Sequence, residues 1–237
     1  MRNRWRNGWV TWAAAAAIGT SVAAAAPNAD LTDERERAEA SAQVLTEMMR
    51  TEDRAVPEAL LDRAKAIAVI PHVVKGAFIV GGRFGKGLLT ARDESGTWGP
   101  AAYVQLSGAS VGLQIGGQAT DLIMVFIEED GLEALLDDKV KLGVDASVAA
   151  GPLGRSAEAA TNLTLDSAIY AYSRSKGLFA GIALDGAVLS MDDDTNHKVY
   201  DADVTGRDIL LARTVSRADV TTPFLEAVQR FVPKDSK

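Results

Sequence analysis

The period of the apolar positions changes twice along the chain. Over residues 31–52, Ala38, Ala42, Leu45, Met48 and Met49 fall on one stripe with charged residues opposite, and Thr32, Asp33 and Glu34 supply an N-cap and an acidic first turn. This spacing predicts an amphipathic helix, followed by a short one that starts at Pro57 and carries Ala59, Leu60 and Leu61. From residue 66 to about residue 192 the period becomes two. The run 66–70 reads as a strand. In residues 110–118, Val111, Leu113 and Ile115 alternate with Gly and Gln, and in 140–148 the set Val140, Leu142, Val144, Ala146 and Val148 alternates with polar residues and Gly. Residues 122–127, apolar on both faces, predict a central strand. A helical turn is expected at 131–138, and a further alternating run at 177–189 places Leu178, Ala180, Ile182 and Leu184 on one side. Turn signals stand at 94–96, 116–117 and 151–154. Helical spacing returns at 194–201, 206–212 and 223–231. These elements predict an α+β fold: a twisted, mainly antiparallel sheet, open or barrel-like, with helices before and after it.

The N-terminus changes the picture of where such a domain resides. Arg2, Arg4 and Arg6 precede an alanine-rich apolar run that ends in small residues, which is the pattern of a signal peptide over residues 1–26, with cleavage near Ala25 or Ala26. The run is short for a membrane span. Residues 27–237 are then expected to form one exported domain, periplasmic or secreted, with its core at about 45–231. The chain has no Cys, which excludes a lipidated N-terminal Cys, disulfides and thiolate metal sites. With 25 Lys and Arg against 32 Asp and Glu the chain is acidic, and removal of three arginines makes it more so. That balance argues against nucleic acid, and any attraction to anionic lipid must come from a local basic patch.

The stretch GGRFGKGLLTAR, Gly81–Arg92, is the first candidate for chemistry. It fails the phosphate-loop pattern, because the glycine spacing is wrong, Gly87 stands where a magnesium-binding hydroxyl is needed, and no helix follows. A glycine-rich hairpin, with Gly allowing positive φ or close backbone approach, is the reading. Residues 108–112 match G-x-S-x-G, so Ser110 with His197 as base would make a serine esterase. No strand-to-helix elbow is expected there, and a strand of small residues is favoured. Asp192, Asp194, Asn196 and Asp203 occupy positions one, three, five and twelve of a calcium loop. His197 stands where that loop needs Gly, and Asp203 is shorter than the bidentate Glu, which favours an acidic helix N-terminus. His72, after Pro71, reads as a turn residue, and no zinc motif or cofactor site is expected. The cations Arg83, Lys86, Arg155, Arg174 and Lys176 all fall at turns or strand ends, where several together would hold an anion. Tyr170 and Tyr172 point the same way, either into the core or along a groove.

Taken together, residues 63–92, 98–118, 143–155 and 168–188, with Asn196 and Tyr200, resemble the SYLF domain family, also described as a Las17-binding-like or actin-regulator domain. The resemblance runs from about Leu45 to Tyr200. It implies a non-enzymatic lipid-binding module without cofactor, whose eukaryotic relatives bind phosphoinositides and actin and whose bacterial relatives are exported envelope proteins. The basic N-terminal segment of the eukaryotic members has an acidic counterpart here, with Asp33, Glu34, Glu36, Glu39 and Glu47 against Arg35, Arg37 and Arg50. The expected function is therefore binding of a phospholipid membrane: headgroup phosphate through Arg83, Lys86, Arg155, Arg174 or Lys176, and apolar contact through Leu45, Met48 and Met49. The alternative is an envelope module that binds a protein partner and no lipid.

Overall fold

A computed structural model describes residues 30–50, 56–76, 81–110, 119–137, 139–153, 166–175, 178–182, 184–201 and 203–232. The expected signal peptide and Arg155, Lys176 and Val111 to Gln118 lie outside them. The fold is α+β, as the periodicity predicts. Helices α1 (Thr32–Met49) and α2 (Glu58–Asp62) precede strands β1 (Ala66–Gly76), β2 (Gly81–Arg92), β3 (Trp98–Ser110) and β4 (Ala119–Phe126). After helix α3 (Glu129–Asp137) come β5 (Lys139–Lys141), β6 (Val148–Ala150), β7 (Ile169–Ser175), β8 (Leu178–Gly181) and β9 (Ala187–Met191). Helix α4 (Asp193–Tyr200), a π-helical turn (Asp208–Ala212), a 3-10 turn (Asp219–Thr221) and helix α5 (Thr222–Phe231) complete the described chain. The strands form one sheet in the order β5-β9-β3-β2-β1-β4-β7-β6, with β8 on β7, and every pairing is antiparallel except β6 with β7.

Strand alternation gives this sheet two buried faces. On one, Tyr103, Leu88, Val69, Ile123 and Tyr172 stand side by side across five strands and are covered by α1 and α5. On the other, the concave face of a half-barrel, Ala68, Leu89, Ala102, Met124 and Ala171 pack with Leu132 and Leu135 of α3 and with Ile209 and Leu210 of the π-helical turn. The two faces use adjacent residues of the same strands, which is why residues 122–127 read as apolar throughout.

The glycines of β2 have a packing reason. β1 is a central strand, yet it contains Pro71 and His72 at φ 52°, and its register shifts against both neighbours there. Pro cannot donate to a ladder and is tolerated only at such a bulge. The Asp121 carboxylate accepts the His72 N–H at 2.9 Å and so satisfies the displaced backbone. The bulged strand presses onto β2, where a Cβ on Gly85 would lie 2.7 Å from the Val73 side chain and one on Gly87 2.7 Å from Ile70 Cα. The Gly81–Arg92 stretch is thus one strand whose glycines admit a neighbouring bulge, and the turn of its hairpin with β3 comes later, at Asp93 to Thr97.

In that turn the Asp93 carboxylate accepts the Ser95 hydroxyl at 2.6 Å and the Thr97 N–H at 2.9 Å and pairs with Arg213 at 2.5 Å. These donors, the Ser95 hydroxyl first, hold its pKa down at about 2 against an ordinary 3.8. A depressed carboxylate stabilises the fold above its unfolded pKa and stops doing so as pH falls through the folded value. The stability gap between the wild type and Asp93→Asn is therefore expected to close between pH of about 4 and about 2 in urea titrations. A gap that stays constant down to that pH would show that the carboxylate's charge is not involved.

Three expected elements differ in detail. Thr32 is the first residue of α1 and not its cap: the N-cap position is Leu31, and the carboxylate of Asp30 before it accepts the Thr32 N–H and hydroxyl at 3.0 and 2.6 Å. The alternating run 140–148 breaks after Leu142 into a tight loop with Gly143 at φ 81°, closed by Asp145, whose carboxylate accepts the Lys141 N–H. The run 177–189 divides into β8 and β9 at Gly186, φ 73°. In each case a local side-chain or glycine turn overrides the apolar period.

Candidate lipid-facing site

The strand period separates the expected basic residues. Lys86 shares the helix-covered face with Leu88, whereas Arg83, an odd number of residues away, stands on the concave face with Leu89. Lys86 lies 2.8 Å from the nearly buried Asp192 carboxylate, which also faces Arg37 at 3.5 Å and accepts the Thr195 hydroxyl at 2.8 Å. Arg37 in turn sits over the Tyr103 ring, 5.5 Å from its centroid. Arg174, three strands from Lys86, contacts Asp121 at 3.4 Å and also Glu47 of α1. Both cations thus hold α1 and α4 against the sheet. At β-strand spacing they stand roughly 14 Å apart, so they do not make one anion site.

Arg83 differs from both. Among the described residues no acid pairs with it, and its Nε is buried without a hydrogen-bond partner. Its register neighbours are Gly108 on β3 and Lys75 on β1.

The apolar stripe of α1 faces inward. Leu45 and Met48 are buried among the residues that join α1 to α5 and the sheet, and Met49 is half-buried at their edge. The correction to the expected interfacial role is plain: with the sheet occupying that face, Leu45 and Met48 offer no surface to a membrane in this conformation. Tyr170 and Tyr172 are likewise core residues, and the Tyr172 hydroxyl donates to the Pro152 carbonyl at 3.2 Å. Burial pushes the Tyr172 hydroxyl above its ordinary pKa, so it stays a neutral donor.

The four calcium-template residues do not converge. Asp192 is held by the two cations, and the Asn196 side chain is turned to the backbone of β3: its Oδ1 accepts the Tyr103 N–H at 2.7 Å and its Nδ2 donates to the Tyr103 carbonyl at 3.0 Å. Asp194 and Asp203 are exposed, and among the described residues no cluster of metal-ligating side chains occurs. Asn196 instead continues the ladder of β3 where β9 stops at Met191. Tyr200, on the same helix, donates to the Ala101 carbonyl at 2.5 Å. Ser110 ends an extended strand opposite Gly81 and forms no elbow. It lies seven residues along β3 from Tyr103, about 23 Å at strand rise, while His197 neighbours the Asn196 that holds Tyr103, so the two cannot act together.

Sequence reasoning missed the Arg37–Asp192–Lys86 group and the pair of Lys198 with the buried Glu34 at 2.9 Å. It had a signal for one part: the alternation of β2 already places Arg83 and Lys86 on opposite faces. The acids that pair with the cations are distant in sequence and carried none.

With this geometry in place, residues 107–231 match the family described as Ysc84, Las17-binding protein actin regulator. The chain belongs to this family, the SYLF domain family. It is 38% identical over 164 residues to Protein YSC84 of Saccharomyces cerevisiae, covering 68% of this chain and 35% of the relative. It is 37% identical over 164 residues to LAS seventeen-binding protein 3 of the same species, covering 68% and 36%. To the human SH3 domain-containing YSC84-like protein 1 it is 34% identical over 163 residues, covering 68% and 47%. The chain thus spans between about a third and a half of these SYLF relatives. The family's description names a binding protein and actin regulator, LAS seventeen-binding protein 3 is named for binding, and none of these names is that of an enzyme.

Proposed function

We propose that this SYLF domain is a non-enzymatic, exported protein of the bacterial envelope that binds anionic phospholipid, with Arg83 as its leading headgroup contact. The observation that carries the assignment is the contrast among the cations. Lys86 and Arg174 are engaged by acids of the fold, whereas Arg83 has a buried Nε and no acidic partner among the described residues. A guanidinium in that state is matched by a phosphate, which accepts two of its N–H groups at once. Arg155 and Lys176 are further proposed contacts. The arginine-led apolar N-terminus supports export.

Flotation with vesicles of neutral and of anionic lipid, at low and moderate salt, tests this reading in the full chain and in the form lacking residues 1–26. Salt-sensitive flotation on anionic vesicles is expected. Arg83→Ala should weaken it by about five-fold, the worth of roughly 1 kcal/mol per cation at an anionic surface. Lys86→Ala should weaken it less, since Lys86 is already engaged by Asp192 at 2.8 Å. Equal losses would remove Arg83 from its leading place, and no flotation on any vesicle would end the lipid reading.

The relatives' names favour a second reading, in which the domain binds a protein. LAS seventeen-binding protein 3 is named for a protein partner. This reading predicts co-purification of one envelope protein in stoichiometric amount and no flotation.

A further inference from the structure

Five large apolar side chains stand exposed among the described residues: Val74 at 54%, Phe84 at 50%, Val144 at 68%, Leu178 at 60% and Leu211 at 38%. The strand register brings the first four to one rim of the half-barrel. Val74 pairs with Phe84, which pairs with Ser107 near the end of β3. At one side of them β3 meets the start of β9 through Gly108 and Ala187, and there the Gly186 N–H donates to Leu142, at the loop that carries Val144. At the other side β4 starts beside Val74 and meets the end of β7, where Ser175 pairs with Leu178. Only Leu211 stands apart from this rim.

The four do not make a flat patch. Val74 and Phe84 project from the helix-covered face, whereas Leu178 pairs with a concave-face residue, so apolar groups occur on both faces of the strand ends. A partner helix or strand laid on one face would cover only part of them. An edge-on approach to a bilayer would cover all, because the interfacial zone takes apolar tips of any shape to a depth of about 5–10 Å. Both rims are mixed in charge: the first carries Arg83, Lys141 and Arg174 with Asp121, Asp145 and Asp185, and the opposite one Asp62, Asp93, Glu94, Glu128, Glu129 and Asp130 with Arg63, Lys65, Arg92 and Arg213, among them the pairs of Lys65 with Glu129 and of Arg213 with Asp93. The first rim is the less acidic of the two, which suits an anionic surface better.

We infer that this rim, with Phe84 and Val144 as its anchors, is the part of the protein that enters the interfacial zone of a lipid bilayer, with Arg83 beside it at headgroup level. The inference rests on the lipid reading above and adds the orientation: strand ends inward, the Asp93 turn away.

Since the full chain contains no Cys, single labels are unambiguous. Phe84→Cys, Val144→Cys and Ser95→Cys, each carrying an environment-sensitive fluorophore, would be mixed with vesicles of equimolar phosphatidylcholine and phosphatidylglycerol, with and without bilayer-embedded nitroxide lipid. The labels at 84 and 144 are expected to brighten and then be quenched by nitroxide, and the label at 95 to do neither. Phe84→Ser with Val144→Ser should lower vesicle affinity on the order of 10-fold for each side chain withdrawn from the bilayer, with an unchanged melting curve. Flotation with all labels silent, or with the label at 95 quenched, overturns the rim and leaves lipid binding standing. Failure of the unlabelled chain to float overturns both. Brightening at 84 and 144 that needs protein concentration and no vesicle would assign the rim to self-association and overturn the inference.

Discussion

Gly87→Ala is expected to destabilise the fold by about 3 kcal/mol or more, the upper range of overpacking a closed site. A Cβ at this position would fall within the van der Waals shell of the Val69 carbonyl oxygen and 2.7 Å from Ile70 Cα. Both neighbours are backbone atoms of a central strand, so no side chain can turn aside to make room. Only a shift of β1 would relieve the clash, and β1 is locked on its far side by β4 and by the Asp121 bond to His72. Gly82→Ala is the control: on the same strand, its nearest neighbour would be the Gly108 carbonyl oxygen at 3.9 Å, an ordinary contact. It should change stability by no more than about 1 kcal/mol. Urea unfolding of the two variants measures the difference. Similar behaviour of both would mean that the bulge is not pressed against β2.

Asn196→Ala is expected to cost about 2–4 kcal/mol. The side chain is fully buried and serves two backbone groups of Tyr103. Its loss leaves the Tyr103 N–H without a partner in an apolar layer. The Tyr103 carbonyl keeps the Asp192 N–H at 3.0 Å, which limits the loss on that side. Because the site also anchors α4, the damage extends to the Arg37–Asp192–Lys86 group that helps hold α1. Asp194→Ala, exposed on the same helix, should stay within about 0.5 kcal/mol. Equal melting temperatures for the two variants would contradict the ladder role of Asn196. Both predictions concern the fold and hold whichever ligand the domain binds.

Much of the architecture was legible in the chain because it depends on local period. The strands through Ala66 to Ile70 and Leu122 to Ile127, the amphipathic α1 and the helix Thr222–Phe231 each repeat their apolar residues at the interval their geometry demands. Where a run of two continued past a turn, as at Gly143 and Gly186, the period misled: alternation carries no mark of where one strand ends and the next begins.

The candidate site was less legible. A list of cations at turns does not tell which of them meet an acid. Asp192 reaches Lys86 across 106 positions of sequence and Arg37 across 155, and Glu47 reaches Arg174 across 127, so each pairing is a product of strand order. The same is true of the α1 stripe. Its amphipathicity shows that one face seeks an apolar partner, and a membrane and a β-sheet satisfy that requirement equally well in sequence.

Residue periodicity and glycine placement were enough to specify an α+β domain with a glycine-rich strand, and several ordered motifs were enough to indicate its family. Which side of each strand faces helix or hollow, which cations are neutralised, and that four exposed apolar side chains gather at one rim were decided only by tertiary structure. The physical reason is range. Backbone periodicity acts between residues a few positions apart, whereas ion pairing, close approach at a bulge and the gathering of strand ends depend on how the strands are ordered and registered in the sheet.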